Sequence, residues 1–188
     1  IWTKMGAVAF KAGKERMMMN SKDTMPPVLV SACLLGNPCR YNGKGYELPA
    51  FVDSLQEYTV IPVCPEVLGG LAVPRPPAEL AEGDGDAFWL GKAQVKTEDG
   101  NDLSAEFKTG ALRTLELAKK HGAKVAILKD HSPSCGTLRI HDGTFRSRLI
   151  PGRGVTAALL QKNGIKVFSE ENWLFTRGKG NCPANIDG

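Results

Sequence analysis

Short apolar runs alternate with amphipathic stretches along most of this chain. Val28–Ala32 is one such run and predicts a buried strand. A loop follows through Tyr46, then a helix over about Leu48–Gln56. Thr59–Val63, "TVIPV", predicts a second strand, which its internal Pro62 places near an edge or near the strand's own end. Residues 69–93 are rich in Gly and Pro and read as mostly loop, with a short helix near Pro77–Ala81. "AQVKTEDGNDLS" reads as a short strand and an acidic turn closing on Ser104 as an N-cap.

The clearest helical pattern spans 105–121, where Phe107, Ala111, Leu115 and Ala118 share one face. Lys119, Lys120 and His121 occupy its last turn and Gly122 stands just beyond, a favourable ending for a helix dipole. Val125–Leu128 predicts a third strand, and "RIHDGTFRS" a hairpin turning at Asp142-Gly143. "GVTAALLQKNG" predicts a second amphipathic helix, followed by the strand "IKVFS". This alternation implies an α/β fold: a single domain with a mainly parallel, Rossmann-like sheet flanked by helices.

The chain has 188 residues, 42% of them hydrophobic, which suits one substantial core. The expected organisation is a loose N-terminal extension over 1–26, a folded domain over 27–172 and a tail over 173–188. The extension shows no sustained period, and Met17, Met18, Met19 and Met25 are all plausible starts within it. No internal repeat is present.

Net charge is +4 and the pI about 8.8, but Lys and Arg are scattered among acids. The absence of a basic stripe argues against a nucleic-acid partner. No apolar run reaches the length of a membrane helix, and "GAVAF" is too short for a signal-peptide core. A cytoplasmic location is therefore expected, and with it reduced thiols. Five cysteines in such a chain point to metal binding or chemistry rather than to cross-links.

In open parallel sheets, ligands sit beyond the carboxyl ends of the strands. Cys33 follows the first predicted strand, Cys64 the second, and Cys135 lies seven residues past the third. Parallel strands would gather all three thiols at one edge. Several readings of that gathering stand open. Zinc normally takes four ligands, often from Cys-x2–4-Cys pairs, and Cys33 and Cys39 have five residues between them. A redox Cys-x-x-Cys is absent. An iron–sulfur cluster on three thiolates would leave one iron open, and buried inert cysteines are the plain alternative.

The motifs "VLVSACLLGNPCRYNG", "CPEVLGGLAVPRPPAEL", "AILKDHSPSCG" and "DGTF", followed by "GRGVTAALLQKNGIKVFSEEN", resemble the thiouracil desulfidase family over about residues 27–172. The resemblance implies a 4Fe–4S cluster on Cys33, Cys64 and Cys135. Its open iron would take the sulfur of a thiolated pyrimidine, passing through a transient 4Fe–5S state. The implied reaction turns 2-thiouracil into uracil and sulfide without redox change. A thiocarbonyl is a soft ligand, so such an iron would polarise the C=S bond toward attack by water.

That scheme needs a group to take and return a proton. Glu66, two residues after Cys64, is the candidate by position and type; its structural alternative is a carboxylate at the start of a helix near "VLGG". Ser132 and Ser134 flank Pro133 just before Cys135 and are candidates for positioning the ring. Loop serines equally often bond only nearby backbone. Cys39 stands as a fourth thiol near the cluster or a structural one, and Cys182 as a surface thiol. Arg75 is expected to pair with Glu79 as a structural clamp, with a position facing the site as the alternative. The turn "PGRGV" has the form of an anion-binding helix start, or of an ordinary tight connection. Of the three histidines, only His131 lies near the proposed chemistry, as a candidate proton donor whose plain reading is a solvent-facing loop position.

Overall fold

The computed structural model describes residues 25–46 and 48–178. The chain runs through β1 (Pro27–Ser31), a 3-10 turn (Ala32–Leu35), α1 (Pro49–Asp53), β2 (Thr59–Val63) and α2 (Pro65–Leu68). It continues with β3 (Ala78–Ala81), α3 (Gly85–Trp89), β4 (Gln94–Thr97), α4 (Ser104–His121) and β5 (Val125–Leu128). β6 (Arg139–His141), β7 (Leu149–Pro151), α5 (Val155–Lys162), β8 (Lys166–Ser169) and α6 (Glu170–Gly178) complete it. Residues 1–24 and 179–188, most of the expected extension and much of the expected tail, lie outside the described residues, as does Cys182.

The main sheet is parallel throughout, in the order β2-β1-β5-β8. Pro62 sits on β2, an edge strand of the sheet, where a missing N–H is tolerated. Both faces of the sheet are covered, which is why β1 and β5 read as continuous apolar runs. Leu29, Ala126 and Leu128 pack with Phe107, Ala111 and Leu115 of α4 and Leu160 of α5. Val28, Val30, Val125 and Ile127 pack on the other side with Phe51 and Trp173. Helix α6 runs on past residue 172, the expected end of the domain, and its Trp173 is buried with Nε1 donating to Ser54 Oγ at 2.9 Å.

The glycine- and proline-rich middle of the chain holds more structure than its composition suggests. The short helix expected near Pro77–Ala81 is a strand, β3, paired antiparallel with β4. Four residues are too few to stabilise a helix alone, whereas β4 offers a ladder beside them. Helix α3, read as loop, is nucleated by Asp84, whose carboxylate accepts from Asp86 N at 3.1 Å and Ala87 N at 3.0 Å. Ser104 is the first residue of α4 rather than its cap. Its N–H donates to Asp102 Oδ1 at 2.8 Å, and its Oγ accepts from Val95 N at 3.0 Å. A hairpin forms between β6 and β7, but Asp142-Gly143 only opens a loop over 142–148, so the second strand begins at Leu149 and not within "TFRS" as expected.

Helix α4 also sets the position of the short α2. A Cβ added at Gly110 would overlap the Pro65 carbonyl, and one at Gly69 the Glu106 carbonyl. The two backbones are in direct contact.

A thiol-lined cavity beyond the strand ends

The register Ser31↔Val63 across β1 and β2, and Val30↔Ile127 across β1 and β5, brings three strand ends level. The chain leaves β1 for β2 on one side and later returns to β5 on the other, so a topological switch lies between β1 and β5. A cavity of ≈ 530 Å3 opens there. Cys33, on the 3-10 turn, Cys64, directly after β2, and Cys135, in the loop after β5, all line it. Cys39, Glu66 and Ser132 line it too, whereas Ser134 does not.

The loop carrying Cys135 is tied at every turn. Asp130 Oδ1 accepts from Thr137 N at 2.7 Å, folding the segment back. Ser132 Oγ accepts from Ser134 N and Cys135 N, each at 3.1 Å. The N-terminus of α5 then clamps the turn: Val155 N donates to Pro133 O and Thr156 N to Ser134 O, both at 2.9 Å. Those N–H groups are spent on the cysteine loop, so "PGRGV" anchors Cys135 instead of meeting a ligand. Ser134 is fully buried, with Oγ 2.8 Å from Thr156 Oγ1.

Glu66 projects from the first turn of α2, and both its oxygens are engaged. Oε2 accepts from Arg75 Nε at 2.8 Å and Nη2 at 2.7 Å. Oε1 lies 3.5 Å from Ser132 Oγ, which donates to it. The clamp expected between Arg75 and Glu79 is therefore not the one formed. Arg75 faces the cavity and also donates to Cys39 O at 3.1 Å. Glu79 accepts from Phe145 N at 3.0 Å and lies 4.0 Å from His141 Nδ1. His131 stands at the cavity mouth, largely exposed, with Nε2 3.7 Å from Asp130 Oδ2.

All four described cysteines are unbridged. A hydrogen bond with Cys39, and then burial, push the Cys64 thiol well above its ordinary range. Burial does the same to Cys135, opposed by hydrogen bonds with Ser31 and Ser134. The Cys39 thiol is raised chiefly by its hydrogen bond with Cys33. Free of metal, these groups hold their protons, and binding a thiophilic centre would expel them. Among the described residues no three His, Cys, Asp or Glu side chains converge on a point that suits a single metal ion. A cluster asks for something different, since its thiolates bind separate irons. Sulfur donors set around one cavity suit such a group.

Arg75 takes the second of its two expected positions, facing the site, with Glu66 as its partner in place of Glu79. Two further residues of the site escaped the sequence. Asp130 shapes the cysteine loop, and its signal was only an acid among Ser and Pro. Ser31, whose Oγ accepts from Lys129 N at 3.0 Å and which lines the cavity with Cys135, adjoins the first cysteine motif without any spacing rule to mark it.

Comparison with known proteins places this arrangement. An uncharacterized protein of Bacillus subtilis strain 168, YbbK, is 43% identical over 143 residues, covering 76% of this chain and 95% of YbbK. The solved structure of the [4Fe–4S]-dependent thiouracil desulfidase TudS is 44% identical, with a TM-score of 0.69 over 78% of this chain and 91% of that one. A sequence model of the 2-thiouracil desulfurase family matches residues 28–172, and the chain belongs to that family.

Proposed function

We propose that the protein removes sulfur from thiolated pyrimidines of the 2-thiouracil type, at a 4Fe–4S cluster held by Cys33, Cys64 and Cys135. The observation that carries this reading is the meeting of those three thiols with the Glu66–Ser132 pair in one cavity. The similar structure, TudS, is a [4Fe–4S]-dependent thiouracil desulfidase. When bound, a cluster with an open iron supplies a soft Lewis acid for the thiocarbonyl sulfur.

The remaining work falls to this chain. Ser132 Oγ already accepts two backbone N–H groups, so its own proton is directed at Glu66 Oε1. Arg75 fixes Oε2 and with it the plane of the carboxylate. Glu66 takes the proton from the water that attacks the sulfur-bearing ring carbon, and returns it as the C–S bond breaks. Ser134 acts behind the wall, steadying Cys135 through Thr156. The sum is thiouracil plus water giving uracil plus hydrogen sulfide, with no net electron transfer.

The test is turnover of 2-thiouracil by anaerobically loaded protein in 18O-labelled water. The reading expects one labelled oxygen in each uracil and one sulfide released with it. A loaded protein that keeps its cluster and releases no sulfide would favour the other class of function, a metal-binding or sulfur-carrying module.

A further inference from the structure

The cavity is also lined by Glu79 of β3, His141 of β6, and Phe145 and Ser147 of the loop 142–148, none of which the proposed proton transfer uses. Phe145 is half-buried there, yet it joins neither half of the hydrophobic core. Among the described residues no other aromatic ring packs on it. The backbone is bent to present it. Phe145 and Ser147 both stand at a φ of 57°, in the left-handed region that residues with a Cβ rarely enter. Such a bend persists only where the surroundings hold it, and β3 supplies the hold. Glu79 is buried, and its Oε2 accepts from Phe145 N at 3.0 Å. Its Oε1 lies 4.0 Å from His141 Nδ1. Gly143 runs so close to β3 that an added Cβ would meet the Leu80 carbonyl at 2.6 Å. The loop is closed on itself as well: Asp142 Oδ1 accepts from Thr144 N at 3.1 Å, and Asp142 N donates to Arg148 O at 3.1 Å. A buried carboxylate is thus spent on placing one phenyl ring at the cavity.

We propose that Phe145 stacks on the ring of the substrate, and that Glu79 is the positioning residue that keeps the phenyl group in place. The proposal rests on reading the cavity as the site of a thiolated pyrimidine, and it adds what selects the ring. A pyrimidine carries its hydrogen-bonding groups at its edge, where Glu66 and Ser132 can meet them. Its faces are π surfaces and want a flat apolar partner. Phe145 is such a partner, and it comes from a chain segment remote from the cysteines. Stacking also discriminates. A flat conjugated ring offers a full face to the phenyl group, whereas a saturated ring of the same composition is puckered and offers none. The residue therefore restricts the site to conjugated heterocycles instead of admitting any small molecule with a thiocarbonyl.

The test is equilibrium dialysis of anaerobic, cluster-loaded protein with radiolabelled uracil, competed by 5,6-dihydrouracil. Both ligands lack sulfur, so the measurement isolates recognition of the ring. Wild type should prefer uracil. Phe145→Leu keeps an apolar side chain without the flat face, and should weaken uracil binding by about 5–150-fold, the usual worth of one base–aromatic stack. Its affinity for dihydrouracil should stay nearly unchanged, so the preference disappears. Phe145→Tyr keeps the ring and should keep the preference. Glu79→Ala should lose the preference as Phe145→Leu does, and Glu79→Gln, whose amide oxygen still accepts the Phe145 N–H, should restore it. A wild type that binds the two ligands equally, or a Phe145→Leu variant that still prefers uracil, would overturn the proposal while turnover of 2-thiouracil left the reading of the cavity standing. A Glu79→Ala variant with the wild-type preference would remove Glu79 from the positioning role. A loaded wild type that turns over no 2-thiouracil would overturn the reading of the cavity, and the proposal with it.

Discussion

Ser132 Oγ lies 3.5 Å from Glu66 Oε1, joining a carboxylate carried by α2 to a hydroxyl carried by the loop after β5. The two reach the cavity from different strand ends, and each is held from behind. Arg75 fixes Glu66, and two backbone N–H groups fix Ser132. In the proposed reaction this pair is the group that moves the proton.

Glu66→Gln therefore separates chemistry from assembly. The amide keeps the shape and can still meet Arg75 and Ser132, but it cannot accept the proton of water. Cluster content and visible absorption should match the wild type. Sulfide release from 2-thiouracil should fall by about 10²–10⁴-fold, the usual worth of a positioned general base. Undiminished turnover would remove Glu66 from that role.

Arg75 and Glu66 form an ion pair whose side chains are only 6% and 16% exposed. Removing one partner strands the other charge, a loss of about 3–5 kcal/mol when such pairs are buried. Arg75→Met should lower stability to urea on that scale, and the double variant Arg75→Met with Glu66→Gln should recover much of it. If the single and double variants unfold at the same urea concentration, the pair carries no such energy.

Gly110 offers a test in which helix propensity and packing disagree. In an isolated helix, Ala would be favoured over Gly by about 1 kcal/mol. Here the added Cβ would overlap the Pro65 carbonyl and push α2 away, carrying Glu66 and Cys64 with it. Gly110→Ala should lose about 1–3 kcal/mol of stability, as overpacked cores do, and bind its cluster less completely. A variant more stable than wild type would show that the helices are free to part.

How much of this was legible in the sequence follows from the range of the forces involved. The parallel sheet was readable because β1 and β5 are buried on both faces and so read as nearly unbroken apolar runs. The gathering of Cys33, Cys64 and Cys135 followed from strand direction alone. Strand β3 was misread because four residues carry no period, and its pairing depends on a partner sixteen or so residues away. Arg75 was assigned to Glu79, four positions along the chain, because sequence shows near neighbours. Its real partner lies nine positions back, across the turn. The helix start at "PGRGV" looked open to a ligand because nothing in the sequence shows that Pro133 and Ser134 occupy it.

Asp102 gives a pH-dependent effect with a fixed sign. Its carboxylate is held below the usual range by hydrogen bonds with the Ser104 side chain and backbone N–H at the start of α4. A depressed folded pKa means that its contribution is complete above the unfolded value and disappears as pH falls through the folded one. Asp102→Ala should cost about 1 kcal/mol near neutral pH, the scale of a lost helix-terminus bond. The gap to wild type should close below about pH 4, where the wild-type carboxylate begins to protonate. A gap independent of pH would assign the effect to packing.

The central claim is that Cys33, Cys64 and Cys135 hold a four-iron cluster, and the most direct measurement is iron and acid-labile sulfide content with a visible spectrum. It is made on anaerobically reconstituted wild type and on Cys64→Ala. The account predicts about four irons and four sulfides per wild-type chain with broad brown absorption, and loss of both in the variant. A colourless wild-type protein that holds zinc, or no metal at all, would contradict it.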